Sequence, residues 1–145
     1  MSSEIKSISG SQFPKEVIPL INSAKNTINI IVFDWRWYSN DPGATCQLFN
    51  QAVLAAARRG VKIRVITSND KIIEILKKGG IDAKKLNISK LVHAKLMIID
   101  ENIVVTGSHN YTISAFTQNL EFSLIITDPL PQSETLSFFN NIWPS

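Results

Sequence analysis

The 145-residue chain has a single cysteine, so it cannot build an internal disulfide framework, and it has no cysteine pair for a zinc ribbon. Its two histidines are too few for a histidine-rich metal cage. Long apolar runs are missing as well. The longest, Ala52–Ala57 and Ile28–Phe33 with Asn29 inside it, fall far short of the roughly 20 residues that cross a bilayer. The first ten residues, Met1 to Gly10, lack the apolar core of a secretory signal. The resulting expectation is a soluble, cytoplasmic chain with no stable membrane association. Charge of one sign is scarce: 15 basic and 12 acidic residues leave +3, with a pI near 9.1. That balance permits a polyanionic partner without demanding one. Low-complexity tracts, internal repeats and linkers are absent.

What is present suits a globular fold. Hydrophobic residues make up 44% of the chain, too many for a disordered one, and the length fits one domain over residues 1–145. Val17, Leu20, Ile21 and Ala24 follow the spacing of a one-sided helix, with Pro14 in its first turn and Pro19 predicting a kink or a late start. Thr27–Asp34 reads as a central strand. Ala44–Arg59 reads as a helix with Leu48, Ala52 and Ala55 on its apolar face and Gly60 as its stop. Val61–Thr67 alternates as a strand, Ser68-Asn69-Asp70 turns, and Lys71–Lys78 is a short helix ended by Gly79-Gly80. Lys95–Asp100 and Asn102–Thr106 read as a hairpin, Glu121–Thr127 as a strand, and Ser133–Trp143 as a last helix with Leu136, Phe139, Ile142 and Trp143 inward. Phe138 falls off that stripe. The pattern predicts a single α/β domain, a mixed β-sheet flanked by helices on both faces.

The chemistry concentrates in His93-Ala-Lys95, Gly107-Ser108-His109-Asn110 and Glu121. Side chains two apart on an extended chain share a face, so His93 pairs with Lys95, and Ser108 with Asn110. If the hairpin joins the two segments, an imidazole, an ammonium, a hydroxyl and an amide converge. One nucleophile or base among donors aimed at an anion is what attack on a phosphoryl group requires. Gly107 lets the backbone approach a ligand or take a positive φ. Asp100 has the opposite parity and reads as a turn or interface residue.

The pattern His93-x-Lys95-x4-Asp100-x6-Gly107-Ser108-x-Asn110 resembles the HKD motif of the phospholipase D superfamily. The continuation to Asn119-Leu120-Glu121 resembles its small single-motif members, the bacterial nuclease branch. The chain departs from that branch at Phe122, where a polar residue is usual, and in a short stretch between Thr67 and His93. Both bear on the shape of the substrate groove. The resemblance implies a phospholipase D-like half-unit, with His93, Lys95, Ser108, Asn110 and Glu121 catalytic, Asp100 and Gly107 structural, and no cofactor.

The mechanism expected of these residues has His93 attack phosphorus to form a phosphohistidine, with Glu121 accepting the second imidazole N–H. Lys95, Asn110 and Ser108 steady the phosphoryl oxygens, and lysine supplies the charge a metal would otherwise bring, so activity is expected without metal. A second imidazole must protonate the leaving oxygen. His109 points the other way on an extended segment and is the weaker candidate. A second copy of His93 from a second chain is preferred, which predicts a homodimer with a shared site. The leading expectation is a non-specific endonuclease acting on DNA, with RNA left open. A phospholipid or cardiolipin hydrolase is the alternative, and a non-catalytic nucleic-acid-binding dimer a second one.

Trp35-Arg36-Trp37-Tyr38 follows the first central strand. These aromatics read equally as base-stacking residues with Arg36 on a phosphate, or as interface and sheet-edge cover. Arg58-Arg59, Lys77-Lys78 and Lys84-Lys85 read as helix-end charges, and Cys46 as a small buried hydrophobe.

Overall fold

A computed structural model describes residues 2–144. Seven strands form one mixed sheet: β1 (Glu4–Ser9), β2 (Thr27–Val32), β3 (Lys62–Thr67), β4 (Asp82–Lys84), β5 (Leu96–Ile99), β6 (Ile103–Gly107) and β7 (Phe122–Thr127). Their spatial order is β1-β7-β6-β5-β2-β3-β4. The pairs β2–β3 and β3–β4 are parallel, and every other pair is antiparallel. Helices α1 (Gln12–Ser23), α2 (Thr45–Arg58), α3 (Asp70–Lys78) and α4 (Ile113–Thr117) share the larger core on one face. Helix α5 (Ser133–Ile142) covers the other face, where Phe139 packs on Ile31, Ile66, Leu96, Ile98 and Val104. The mixed sheet with helices on both faces is therefore present, with four helices on one side and one on the other.

The central position of β2 explains its composition. Ile28, Ile30 and Val32 enter the larger core and Ile31 the smaller one. Asn29 is buried on the α5 face, and its Oδ1 accepts from Arg64 Nε at 2.9 Å. The Arg64 guanidinium lies over Phe139 at 4.8 Å and Trp143 at 5.2 Å, which ties α5 to the sheet. Burial pulls the Arg64 pKa down from its ordinary value, and the Asp82 charge opposes the shift.

Several expectations change in detail. Strand β1 was not anticipated. It is an edge strand with five exposed residues, and only Ile8 is buried. Helix α1 begins at Gln12, not late, and runs past Pro19, which is exposed. The lost hydrogen bond there faces water, not the core. In α2 the buried apolar residues are Cys46, Phe49, Val53 and Ala56 together with Ala52, which was expected inward, whereas Leu48 is 50% exposed and Ala55 only half-buried. Placing Phe49 inward buries more apolar surface than placing Leu48 there. Burial pushes the Cys46 thiol up to about 12, in keeping with a packing role. Arg59 reaches back to donate to the carbonyls of Ile21 and Ala24 at 3.0 and 3.1 Å, so it caps α1, not its own helix.

The hairpin between β5 and β6 turns on Asp100 and Glu101, both at positive φ. Asp100 is the turn residue that parity suggested. Its carboxylate accepts the backbone N–H groups of Lys25, Asn26 and Thr27 at 2.7 to 3.2 Å. Those groups begin β2 after α1, so the motif aspartate fastens the hairpin to the central strand at the end of the sheet away from the other motif residues.

Candidate active site

The alternating strand directions bring four element ends to one edge of the sheet. These are the C-terminal end of β2 with Asp34 beyond it, the N-terminal end of β5 with Lys95, the C-terminal end of β6 with Ser108, and the N-terminal end of β7 with Glu121. The motif residues His93, Lys95, Ser108, Asn110 and Glu121 all lie at or just outside these ends.

His93 and Lys95 precede β5 and are not part of it, so strand parity is not what unites them. The Lys95 ammonium does so directly: Nζ donates to the His93 carbonyl at 2.9 Å and lies 3.3 Å from His93 Nδ1. An ammonium only donates, so Nδ1 is the acceptor and the ring proton sits on Nε2. The main chain here is fixed by Thr106, whose hydroxyl donates to the Lys95 carbonyl at 2.8 Å. Burial lowers the Lys95 pKa from its ordinary value, and the Glu121 carboxylate opposes the shift. His93 itself is exposed, with Phe33 tilted against it at 5.8 Å between ring centres.

Asn110 presents its amide with a defined polarity. Oδ1 accepts the Asp34 N–H at 3.2 Å, which leaves the NH₂ group to donate to a ligand oxygen. Ser108 does something other than expected. Its hydroxyl donates to Glu121 Oε1 and accepts the Phe122 N–H at 3.0 Å, so both its functions are used within the chain. Asn119 holds the other carboxylate oxygen, Oε2, at 3.0 Å. Ser108 thus orients Glu121, and within one chain Glu121 is engaged by Ser108 and Asn119 while His93 is engaged by Lys95. Gly107 is required by a close approach to the neighbouring strand and not to a ligand: a Cβ there would overlap Ser123 and the Phe122 carbonyl on β7.

His109 is 1% exposed. Its Nε2 faces the Gly10 carbonyl at 3.0 Å, which only accepts, so Nε2 carries the proton. Nδ1 then accepts from the Ser123 hydroxyl at 2.7 Å. The ring stacks on Phe13 at 4.5 Å, and burial lowers its pKa. This removes His109 as a proton donor to substrate.

The aromatic loop divides. Trp35 is wholly buried, with its indole N–H donating to Asn50 at 2.6 Å and its ring packed edge-on against Phe49 and Tyr111. It is a core residue, neither a base-stacking surface nor sheet-edge cover. Trp37 is half-buried against the same core. Tyr38 accepts the Ile113 N–H at 2.9 Å, and burial raises its pKa. Arg36 is exposed and paired with Asp34 at 3.0 Å. That carboxylate raises the Arg36 pKa, by its hydrogen bond first and its charge second.

Two flanks adjoin the site. A polar pocket of about 220 Å³ is lined by Asp34, Arg36, Tyr38, Asn110, Ser114 and Asn119, among others. On the other side an apolar groove of about 250 Å³ touches His93 and includes Ile88, Leu91, Val92, Phe138 and Ile142. Ile88, Leu91 and Phe138 are 55%, 67% and 50% exposed. The sequence disclosed no such apolar lip because its members come from two distant segments. Asp34 and Asn119 were also unforeseen as site residues, although Asn119 belongs to the Asn-x-Glu triplet. Among the described residues no three His, Cys, Asp or Glu side chains are grouped to hold a metal ion, and no helix is long and apolar enough to cross a membrane.

An exposed imidazole and a lysine, with an amide donor and a braced carboxylate, therefore lie together on one sheet edge. The family model described as cardiolipin synthase, PLD-like domain, matches residues 17–143, and the chain belongs to this phospholipase D-like family of phosphodiesterases. It is 29% identical over 130 residues to the mitochondrial cardiolipin hydrolase of Xenopus tropicalis, covering 86% of this chain and 58% of that protein. The chain spans about half the length of the curated relatives it matches. Among solved structures, NucT from Helicobacter pylori superposes with a TM-score of 0.80 at 21% identity, covering 97% of this chain and 95% of that one. The phospholipase D family member Nuc from Salmonella typhimurium gives 0.80 at 22% identity, covering 97% and 94%.

Proposed function

We propose that the chain is a metal-independent phosphodiesterase of the nuclease type, hydrolysing DNA with little sequence preference from a site shared by two copies. The observation that carries this reading is the contrast in histidines. One imidazole per chain faces solvent beside a lysine, and the other is buried with both nitrogens occupied. Two-sided attack on one phosphorus then draws its second imidazole from a second chain.

The course starts when a phosphate displaces Lys95 from His93, so that the ammonium and the Asn110 NH₂ hold its oxygens. The imidazole proton moves to Nδ1, and Glu121, braced by Ser108 and Asn119, has lone pairs to accept it. Nε2 attacks phosphorus, the P–O bond to the leaving group breaks, and the partner subunit's His93, which enters the step as the imidazolium, protonates the departing oxygen and becomes neutral. That second imidazole then takes a proton from water, whose oxygen attacks phosphorus and releases His93.

Phospholipid hydrolysis is the second reading. The apolar groove against His93 favours it, since an acyl chain would lie there while its phosphate reached Lys95. The name of the Xenopus relative points the same way. One assay separates the two. Plasmid, single-stranded DNA, RNA and a fluorescent phospholipid are each incubated with the protein in excess EDTA, beside His93→Ala. Nicking that survives EDTA and is lost in the variant supports the nuclease; turnover of lipid alone replaces it with the second reading.

A further inference from the structure

The polar pocket beside Asn110 is built with a rigid floor and one movable charge. Tyr111 N–H donates to the Asp34 carbonyl and Arg36 N–H to the Tyr111 carbonyl, both at 3.0 Å, while the Asp34 N–H holds Asn110. Asn50 donates to the Arg36 carbonyl at 2.9 Å. The backbone of residues 34–36 is therefore locked to the segment that carries Asn110. The Arg36 side chain, by contrast, is 62% exposed and, among the described residues, bonded only to Asp34, through Nε at 3.0 Å and Nη2 at 3.5 Å. An exposed ion pair of this kind contributes little because water screens it, so an incoming anion displaces Asp34 at little cost. A guanidinium fork suits a phosphate in two-point contact.

At about 220 Å³ the pocket is below the range of roughly 300–1,000 Å³ that takes whole small-molecule ligands. It is sugar-sized, and its lining is polar: Tyr38, Thr112, Ser114 and Asn119 beside Asp34. The Asn119 NH₂ group is committed to Glu121, which leaves its carbonyl as an acceptor for a hydroxyl.

We propose that this pocket is the subsite for the sugar next to the scissile phosphodiester, with Arg36 pairing the neighbouring phosphate of the same polynucleotide strand. The proposal rests on the nuclease reading and assigns Arg36 a positioning role toward substrate, away from the reacting phosphorus. A substrate with one phosphodiester and no sugar engages the catalytic residues only, whereas an oligonucleotide engages both.

The test measures kcat/KM on bis(p-nitrophenyl) phosphate and on a short oligothymidylate, for the wild type, Arg36→Ala and Arg36→Lys. The expected result is that the ratio of oligothymidylate to bis(p-nitrophenyl) phosphate kcat/KM falls about tenfold in Arg36→Ala, carried by KM. Arg36→Lys, which keeps the charge but not the fork, falls between. The slope of log kcat/KM against log salt for the oligonucleotide drops by about 0.7 in Arg36→Ala. An unchanged ratio in an active protein overturns the subsite and leaves the nuclease reading standing. A wild type that hydrolyses bis(p-nitrophenyl) phosphate but not the oligonucleotide overturns both.

Discussion

The two histidines share a residue type and little else. His93 is exposed in a loop, and its ring lies beside the Lys95 ammonium at 3.3 Å. His109 is buried between β7 and the turn before α1, with each ring nitrogen committed to a fixed partner. An imidazole with a free nitrogen and water access can do chemistry; one whose lone pair and proton are both spent inside the fold can only hold structure. The motif Gly-Ser-His-Asn places His109 between two site residues, yet the alternation of the chain turns it away from them.

The sharpest way to break this contrast is to exchange the consequences. His93→Gln is expected to lower turnover at least about a thousandfold with an unchanged urea midpoint, because an exposed side chain is lost from the chemistry but not from the core. His109→Ala should do the reverse. It leaves the Ser123 hydroxyl and the Gly10 carbonyl without their partner and opens space against Phe13, at about 2–4 kcal/mol of stability, while turnover per folded molecule stays within about threefold.

The same contrast has a pH signature. Burial lowers the His109 pKa below its ordinary 6.5, so below that pH the unfolded chain binds a proton that the folded chain refuses. The stability from this group is complete above about pH 6.5 and is lost as pH falls toward the lowered value. Urea midpoints measured from pH 7.5 to 5 should fall in the wild type and flatten in His109→Gln; parallel curves would contradict the burial argument.

The smallest effect belongs to Asp100. Asp100→Asn keeps one acceptor but loses the charge facing the N–H groups of Lys25, Asn26 and Thr27. About 1–2 kcal/mol of stability should go, with turnover retained. A collapse of turnover in a folded Asp100→Asn protein would show that the motif aspartate has a direct part in the chemistry.

Most of the fold is legible in periodicity because most strands are buried on at least one face and state it in β-branched residues, as Thr27–Val32 does. Strand β1 is not legible. Five of its six residues are exposed, and what makes Glu4–Ser9 a strand is its antiparallel pairing with β7, a tertiary fact. The Leu48 stripe was misread for a related reason. Leu48 and Phe49 are both apolar, and only the shape of the core, where Phe49 meets Phe13, Tyr111 and Phe116, decides which turns inward. In the site, identity was easier to read than role. Spacing marked Ser108, but its hydroxyl is consumed by Glu121 and Phe122, a pairing that needs β6 and β7 side by side. Trp35 follows a strand end, as ligand-facing residues often do, yet an isolated bridge to Tyr111 folds it into the core.

The shared site can be tested by making a dimer with one defect. Two differently tagged chains, wild type and His93→Ala, are co-expressed and the mixed dimer is purified through both tags. With one phosphorus held between two copies of His93, the mixed dimer should retain less than about 1% of wild-type turnover. Half of wild-type turnover would mean that each chain works alone, and would contradict the account.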